Sequence, residues 1–152
     1  RSLSLDLFAQ WQGLETNGQF RFTPPTHTLL AFERALEELA EEGGVAGRAA
    51  RYSRNYDTLV AGMREMGFVE YLARGDQGYI ITSFRYPTHP AFDFTEFYTR
   101  LGEKDLVIYP SKVSNADCFR IGNIGHIQKE DVQSLLGAIA SVLKEMGIDN
   151  GS

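Results

Sequence analysis

The sequence has little of several features that mark specialised protein classes. It contains one cysteine among 152 residues, which excludes an internal disulfide framework. No apolar run approaches the roughly 20 residues needed to span a bilayer, so no membrane segment is predicted. The formal net charge is -5, which gives little support to nucleic-acid binding, since such proteins concentrate basic residues on one face. We therefore expect a soluble, cytoplasmic protein.

Histidine is also scarce. The three histidines, His27, His89 and His126, are far apart in the sequence and have no cysteine or acid at ligand spacing, so no metal site is predicted. His89 lies between two prolines, where a role in a turn is expected. The single cysteine, Cys118, precedes Phe119 with no base nearby in sequence, which favours a small buried apolar residue over a nucleophile.

The sequence does contain enough apolar residues for one hydrophobic core or two small ones, since 43% of its residues are hydrophobic and 12% aromatic. The first residue is Arg1 instead of Met, and the opening alternation is typical of the middle of a domain. We therefore expect a fragment of a longer protein.

Apolar residues at helical spacing predict four helices, over residues 28–42, 45–66, 94–103 and 132–146. Glycines stop three of them, at Gly43, Gly67 and Gly147, and Asp93 is placed to cap the third. Strands are predicted at 68–72, 79–86, 106–109, where Pro110 ends the strand, and 118–122. Residues 2–8 alternate like a strand, although a helix over 6–14 fits as well.

The order of these elements predicts a small, mostly antiparallel sheet with helices on one face, preceded by two long connecting helices. The fold class is α/β for a whole protein and α+β for this chain. We place the domain boundary within the second long helix, with residues 1–66 as the tail of a larger domain and 67–152 as a small C-terminal domain.

An arginine stands in the middle of a short apolar strand in the stretch 114–126. Cys118, Phe119 and Ile121 are typical of a buried strand, whereas Arg120 carries a fixed positive charge. A planar guanidinium suits a carboxylate or a phosphorus oxyanion held at two points. The alternative is an arginine that reaches solvent at a sheet edge or pairs with Asp117.

A second unusual stretch, Thr-Pro-Pro-Thr-His at 23–27, precedes the first long helix. Its hydroxyls and the amide hydrogens at the helix start could hold a phosphate. The alternative is that Thr26 or Thr28 caps the helix while the prolines stiffen its entry.

Several segments together resemble one family. They are Arg-Ser-Leu-Ser-Leu-Asp-Leu at 1–7, Arg-Phe-Thr-Pro-Pro-Thr-His at 21–27, Glu-Gly-Gly-Val-Ala at 42–46, Leu-Val-Ala-Gly-Met-Arg at 59–64 and Asp-Cys-Phe-Arg-Ile-Gly-Asn-Ile-Gly at 117–125. This combination resembles the class V aminotransferases of fold type I, which use pyridoxal 5'-phosphate, and within them the branch acting on 2-aminoethylphosphonate and pyruvate. The resemblance runs in unbroken order through nearly the whole chain.

The resemblance implies a role for two residues. Arg120 matches the arginine that binds the acid group of the substrate, and Thr23 matches a threonine that reaches the cofactor phosphate of the neighbouring subunit in a homodimer. Related members often have a tyrosine three positions before that threonine, whereas this chain has Phe20, which lacks the hydroxyl. The Schiff-base lysine of the family lies upstream of the position matching Arg1, so the chain itself is expected to carry no catalytic lysine and to be inactive alone.

The implied reaction moves an amino group from 2-aminoethylphosphonate to pyruvate, giving phosphonoacetaldehyde and alanine. Two other functions stay open. The same arginine would serve another class V transaminase using serine, alanine or glyoxylate, and a stand-alone binding module would need no catalysis. The implied partners are the two small substrates and a second copy of the intact protein.

Overall fold

The structure is a computed structural model, and it describes residues 3–113 and 116–148. The chain divides into two compact units, residues 1–44 and 45–152, and each is described by itself. The division that the sequence predicts at residue 66 concerns the domains of a whole protein, and it stays a prediction.

The first unit is helical. A short 3-10 turn, Leu3–Leu5, is followed by α1, Leu7–Asn17, and by α2, Thr26–Glu41. The strand predicted at 2–8 is therefore wrong, and the helical alternative is confirmed. Its cause is local: the Asp6 carboxylate accepts a hydrogen bond of 3.0 Å from the backbone N–H of Ala9 and so caps α1.

The longest helix of the described chain, α3, Gly44–Glu65, starts at the last residue of the first unit and otherwise belongs to the second. Gly43 and Gly44 both have positive φ, at 93° and 70°, which lets the backbone turn between α2 and α3 in a conformation that other residues rarely adopt. The first two predicted helices are thus confirmed, with bounds shifted by one or two residues.

A three-stranded antiparallel sheet follows α3. Its strands are β1, Ile81–Arg85, β2, Tyr109–Val113, and β3, Ala116–Gly122, in the spatial order β1-β3-β2. Between them lies α4, Phe94–Gly102, and after them α5, Lys129–Glu145. Asp93 caps α4 as predicted, because its carboxylate accepts from the backbone N–H of Glu96 at 2.8 Å.

Two strand predictions are wrong. Residues 68–72 form only a single bridge, between Glu70 and Phe84, instead of a strand. The strand predicted at 106–109 is also misplaced. The observed strand, β2, begins at Tyr109, where the prediction ended, and it continues through Pro110. Proline is tolerated there because β2 is an edge strand, which leaves half of its N–H positions without a partner strand.

Three helices pack on one face of the sheet. Phe84 on β1 and Phe119 on β3 are directly paired, and both are fully buried with Ile121 in the core. The remaining buried core side chains come mainly from the helices: Leu59, Val60, Met63, Phe97, Leu101, Val132, Ile139, Val142 and Leu143. The predicted arrangement of a small sheet with helices on one face is confirmed. Within the described residues, no helix has both the length and the apolar character to cross a bilayer.

Candidate functional site

Arg120 lies on the central strand, so the sheet fixes a neighbour on each side of it. Its Cα partners are Ser83 on β1 and Tyr109 on β2. Paired residues of antiparallel strands project from the same face, so these three side chains form a row across the sheet. The row lies on the face of the sheet opposite to Phe119.

No carboxylate pairs with Arg120 in the described part of the chain. Its side chain is exposed, and Nη2 donates one long hydrogen bond, of 3.5 Å, to the carbonyl oxygen of Pro110. The ion pair with Asp117 that the sequence left open is not found among residues 3–113 and 116–148. The guanidinium thus keeps most of its donors available for a ligand.

Arg120 also lines a cavity of about 580 Å³. The wall of this cavity is mainly apolar, formed by Leu59, Ile80, Ile81, Leu106, Val107, Ile121, Ile124, Ile127, Val132 and Leu135. The polar side chains of the lining are Tyr109, Arg120, Asn123 and Asp131. Asp131 is already engaged, since its Oδ2 accepts from the backbone N–H of Gln128 at 2.8 Å. An apolar cavity with one cation at its edge suits a small anionic molecule.

Side chains of α3 form hydrogen bonds to the loop between β3 and α5, residues 123–128, which forms one wall of the cavity and is called the cavity loop. Arg51 Nη1 donates to the carbonyl oxygens of Gly125 and Ile127 at 2.8 and 2.9 Å. Asn55 Nδ2 donates to the same Ile127 oxygen at 2.8 Å. Arg51 is 8% exposed and Asn55 1% exposed, so the donor side of these bonds is shielded from water.

Asn123 fixes the beginning of that loop. Its Nδ2 donates to the carbonyl oxygens of Tyr52 at 3.2 Å and Tyr79 at 2.8 Å, and the residue is 1% exposed. Arg51, Asn55 and Asn123 were not predicted from the sequence as site residues. A signal was present: Arg51 and Asn55 are polar residues four positions apart on the buried stripe of α3, where a polar side chain needs a partner.

Thr23 lies in the first unit, between α1 and α2, and it is exposed. The alternative role for this stretch, a threonine cap on α2, is wrong, because Pro25 occupies the N-cap position without a side-chain hydrogen bond. Phe20 is also exposed, at 51%. The hydroxyl of Thr23 is therefore accessible to a group from outside the described chain.

Cys118 and His89 are placed as the sequence predicts. Cys118 is fully buried, and this burial raises the pKa of its thiol, which disfavours the reactive thiolate. His89 has a turn role, since its Nδ1 accepts from the backbone N–H of Ala91 at 3.2 Å. Within the described ranges, no group of three or more His, Cys, Asp or Glu residues could hold a metal ion.

Comparison with known proteins gives clear sequence relatives. No family model matches the chain. It is 56% identical, over 144 residues, to curated 2-aminoethylphosphonate–pyruvate transaminases of Vibrio vulnificus (strain YJ016) and Salmonella schwarzengrund (strain CVM19633). The match covers 94% of this chain and 39% of each relative, so the chain spans about two fifths of their length.

Solved structures show the same fold at lower identity. The ureidoglycine–glyoxylate aminotransferase of Bacillus subtilis matches with a TM-score of 0.77 and 21% identity, covering 94% of this chain and 37% of that one. The alanine–glyoxylate aminotransferase of Nostoc sp. matches with a TM-score of 0.77 and 24% identity, covering 90% and 36%. The chain thus has the fold of a part of these aminotransferases, and over 94% of its length it is a homologue of the 2-aminoethylphosphonate–pyruvate transaminases.

Proposed function

We propose that this chain is the C-terminal portion of a pyridoxal-phosphate transaminase that moves the amino group of 2-aminoethylphosphonate to pyruvate. The products are phosphonoacetaldehyde and alanine. The observation that carries the proposal is Arg120, an arginine without a carboxylate partner in the described chain, at the edge of a mainly apolar cavity. The 56% identity to transaminases of that name supports the choice of substrates.

Arg120 binds the acid group of each substrate in turn. Its planar fork donates two parallel hydrogen bonds to a carboxylate or a phosphonate, which fixes the molecule in orientation as well as in position. Because the acid end is held, the amino or carbonyl end is presented in a constant direction to the cofactor. The apolar part of the wall reduces the contact of the bound molecule with water, which strengthens the charged contact.

The cofactor, when bound, supplies the electron sink that amino-group transfer needs. Thr23 is the residue of this chain that would contact it, through a hydrogen bond from the hydroxyl to the cofactor phosphate of the neighbouring subunit. Its exposed position fits that role. The proposal therefore includes a homodimer of the intact protein in the cytoplasm, and an isolated chain without activity.

The test is alanine formation by the intact protein from 2-aminoethylphosphonate and pyruvate. We expect turnover, and we expect Arg120→Ala to lower kcat/KM for both substrates by roughly 30-fold to several thousand-fold, since one partner of a desolvated ion pair is lost. Arg120→Lys should also be impaired, because an ammonium cannot reproduce the fork.

Arg54→Ala is the matched control, since Arg54 is an exposed arginine of α3 outside the cavity lining. Its kinetics should equal those of the unaltered protein. Unchanged kinetics in Arg120→Ala would remove the assigned role of Arg120. Transfer from serine or alanine to glyoxylate, without turnover of 2-aminoethylphosphonate, would overturn the choice of substrates.

A further inference from the structure

The two residues that flank Arg120 in the sheet differ in their relation to the cavity. Tyr109 on β2 lines the cavity together with Arg120, whereas Ser83 on β1 is not part of the lining. The guanidinium also leans toward β2, since its one hydrogen bond runs to Pro110, the next residue of that strand. The environment of Arg120 is therefore asymmetric.

The hydroxyl of Tyr109 is free to act as a donor. The residue is 55% exposed, and no hydrogen bond of its hydroxyl is found within the part of the chain that the structure describes. Directly opposed residues of an antiparallel pair have Cβ atoms about 5 Å apart, so a tyrosine and an arginine in register can reach the same small ligand.

The number of ligand oxygens then decides what a second donor adds. A carboxylate has two oxygens, and a bidentate guanidinium engages both of them. A phosphonate has three, so one oxygen remains for another donor, and a phenol O–H suits it. The extra hydrogen bond is thus available to the phosphonate substrate and largely superfluous for the carboxylate one.

From this geometry we propose that Tyr109 is a specificity-determining residue, whose hydroxyl donates to the third oxygen of a phosphonate held by Arg120. The inference rests on the proposed function, because it takes Arg120 to be the binding site of the acid group. Tyr109 on β2 would then distinguish a tetrahedral phosphonate from a planar carboxylate, since Arg120 alone binds both in the same way.

The experiment measures the intact protein with two amino donors of similar length, 2-aminoethylphosphonate and 3-aminopropanoate, with pyruvate as acceptor. Tyr109→Phe keeps the ring and removes the hydroxyl. We expect it to lower kcat/KM for 2-aminoethylphosphonate by roughly tenfold or more, the usual effect of a hydrogen bond to a charged group. For 3-aminopropanoate and for pyruvate the change should be smaller than about threefold, so the preference for phosphonate falls.

Ser83→Ala is the matched control, because it removes the hydroxyl on the other side of Arg120. It should leave the ratio of the two donors as it is in the unaltered protein. An unchanged ratio in Tyr109→Phe, with an active parent protein, would overturn the role of Tyr109 and leave the proposed function standing. An equal fall of the ratio in both variants would also overturn it. An inactive parent protein would instead reject the proposed function.

Discussion

At the scale of single residues, Arg120 differs from four other arginines of the described chain in its surroundings. Arg34, Arg64 and Arg100 each form an ion pair with a glutamate. Arg51 donates to backbone carbonyl oxygens instead. These four arginines have identifiable structural partners, whereas Arg120 contacts a single carbonyl at 3.5 Å. A ligand anion is the partner that would complete its coordination.

Glu70 carries a prediction about pH. Burial by itself would raise the pKa of this carboxyl, but hydrogen bonds from Arg64 and the backbone, together with the charges of Arg64 and Arg74, outweigh burial and lower the pKa. Since the pKa is lower in the folded state than in the unfolded one, the pair stabilises the fold above about pH 4.3, the unfolded value. That stabilisation is lost as the pH falls through the folded value.

We therefore expect Glu70→Gln to lower the urea midpoint of the chain at pH 7, and we expect the difference from the unaltered chain to shrink at pH 3. Glu65→Gln is the control, because Glu65 is an exposed glutamate at the end of α3, next to Arg64, and forms no ion pair among the described residues. Urea titrations at pH 7, 5 and 3 measure the effect. A difference that stays constant over this range would contradict the linkage.

At the scale of elements, the hydrogen bonds from Arg51 on α3 to the cavity loop lead to a prediction about stability. Arg51→Ala removes the guanidinium donor from the carbonyl oxygens of Gly125 and Ile127, and only the Ile127 oxygen keeps a second donor, Asn55. We expect the free energy of unfolding to fall by about 2 kcal/mol, the usual contribution of a hydrogen bond made by a charged group. Arg54→Ala, one turn further along α3 and exposed, should change it by less than about 0.5 kcal/mol. Equal effects in the two variants would show that the loop contacts contribute nothing.

The helices were predictable from the sequence because each has its own local signals. The apolar spacing of α2, α3, α4 and α5 gave their positions, and Gly43, Gly67 and Gly147 have the positive φ that a helix stop requires. The opening alternation at Leu3 and Leu5 misled because a strand needs a partner, and none is found for residues 3–8 in the described chain.

The strands and the surroundings of Arg120 were less predictable, because they depend on pairing between distant residues. Arg120 itself was visible as a charge in an apolar strand. Tyr109 was not, because its position opposite Arg120 follows from the register of β2 against β3. Pro110 pointed to a strand end, and only the edge position of β2 explains why the strand continues.

At the scale of the whole molecule, the two units differ in how much they bury. None of the residues 3–44 is buried, whereas the core cluster lies entirely within residues 45–152. The exposed large apolar residues of the first unit include Leu3, Leu5, Leu7, Phe8, Trp11, Phe20, Phe22, Leu30 and Phe32. We therefore expect the two units of the isolated chain to unfold separately.

Trp11 provides the measurement, because it is the only tryptophan of the sequence and is 55% exposed in the first unit. Its emission, excited at 295 nm, should change little in urea, while circular dichroism shows a cooperative transition of residues 45–152. A polypeptide of residues 45–152 should unfold at the same urea midpoint as the whole chain. Coincident transitions by both probes would contradict this view, since they indicate one cooperative unit.

The central position of β3 has a consequence for changing which acids the proposed transaminase would accept. Because β3 is hydrogen-bonded on both sides, a shift of one residue would disrupt two ladders and turn the guanidinium to the opposite face. Laboratory evolution toward new acids should therefore leave β3 as it is and vary the residues around it, such as Tyr109 on the outer strand and Ile124 in the loop. In such libraries, we expect altered selectivity to come from these flanking positions, with the anchoring charge retained.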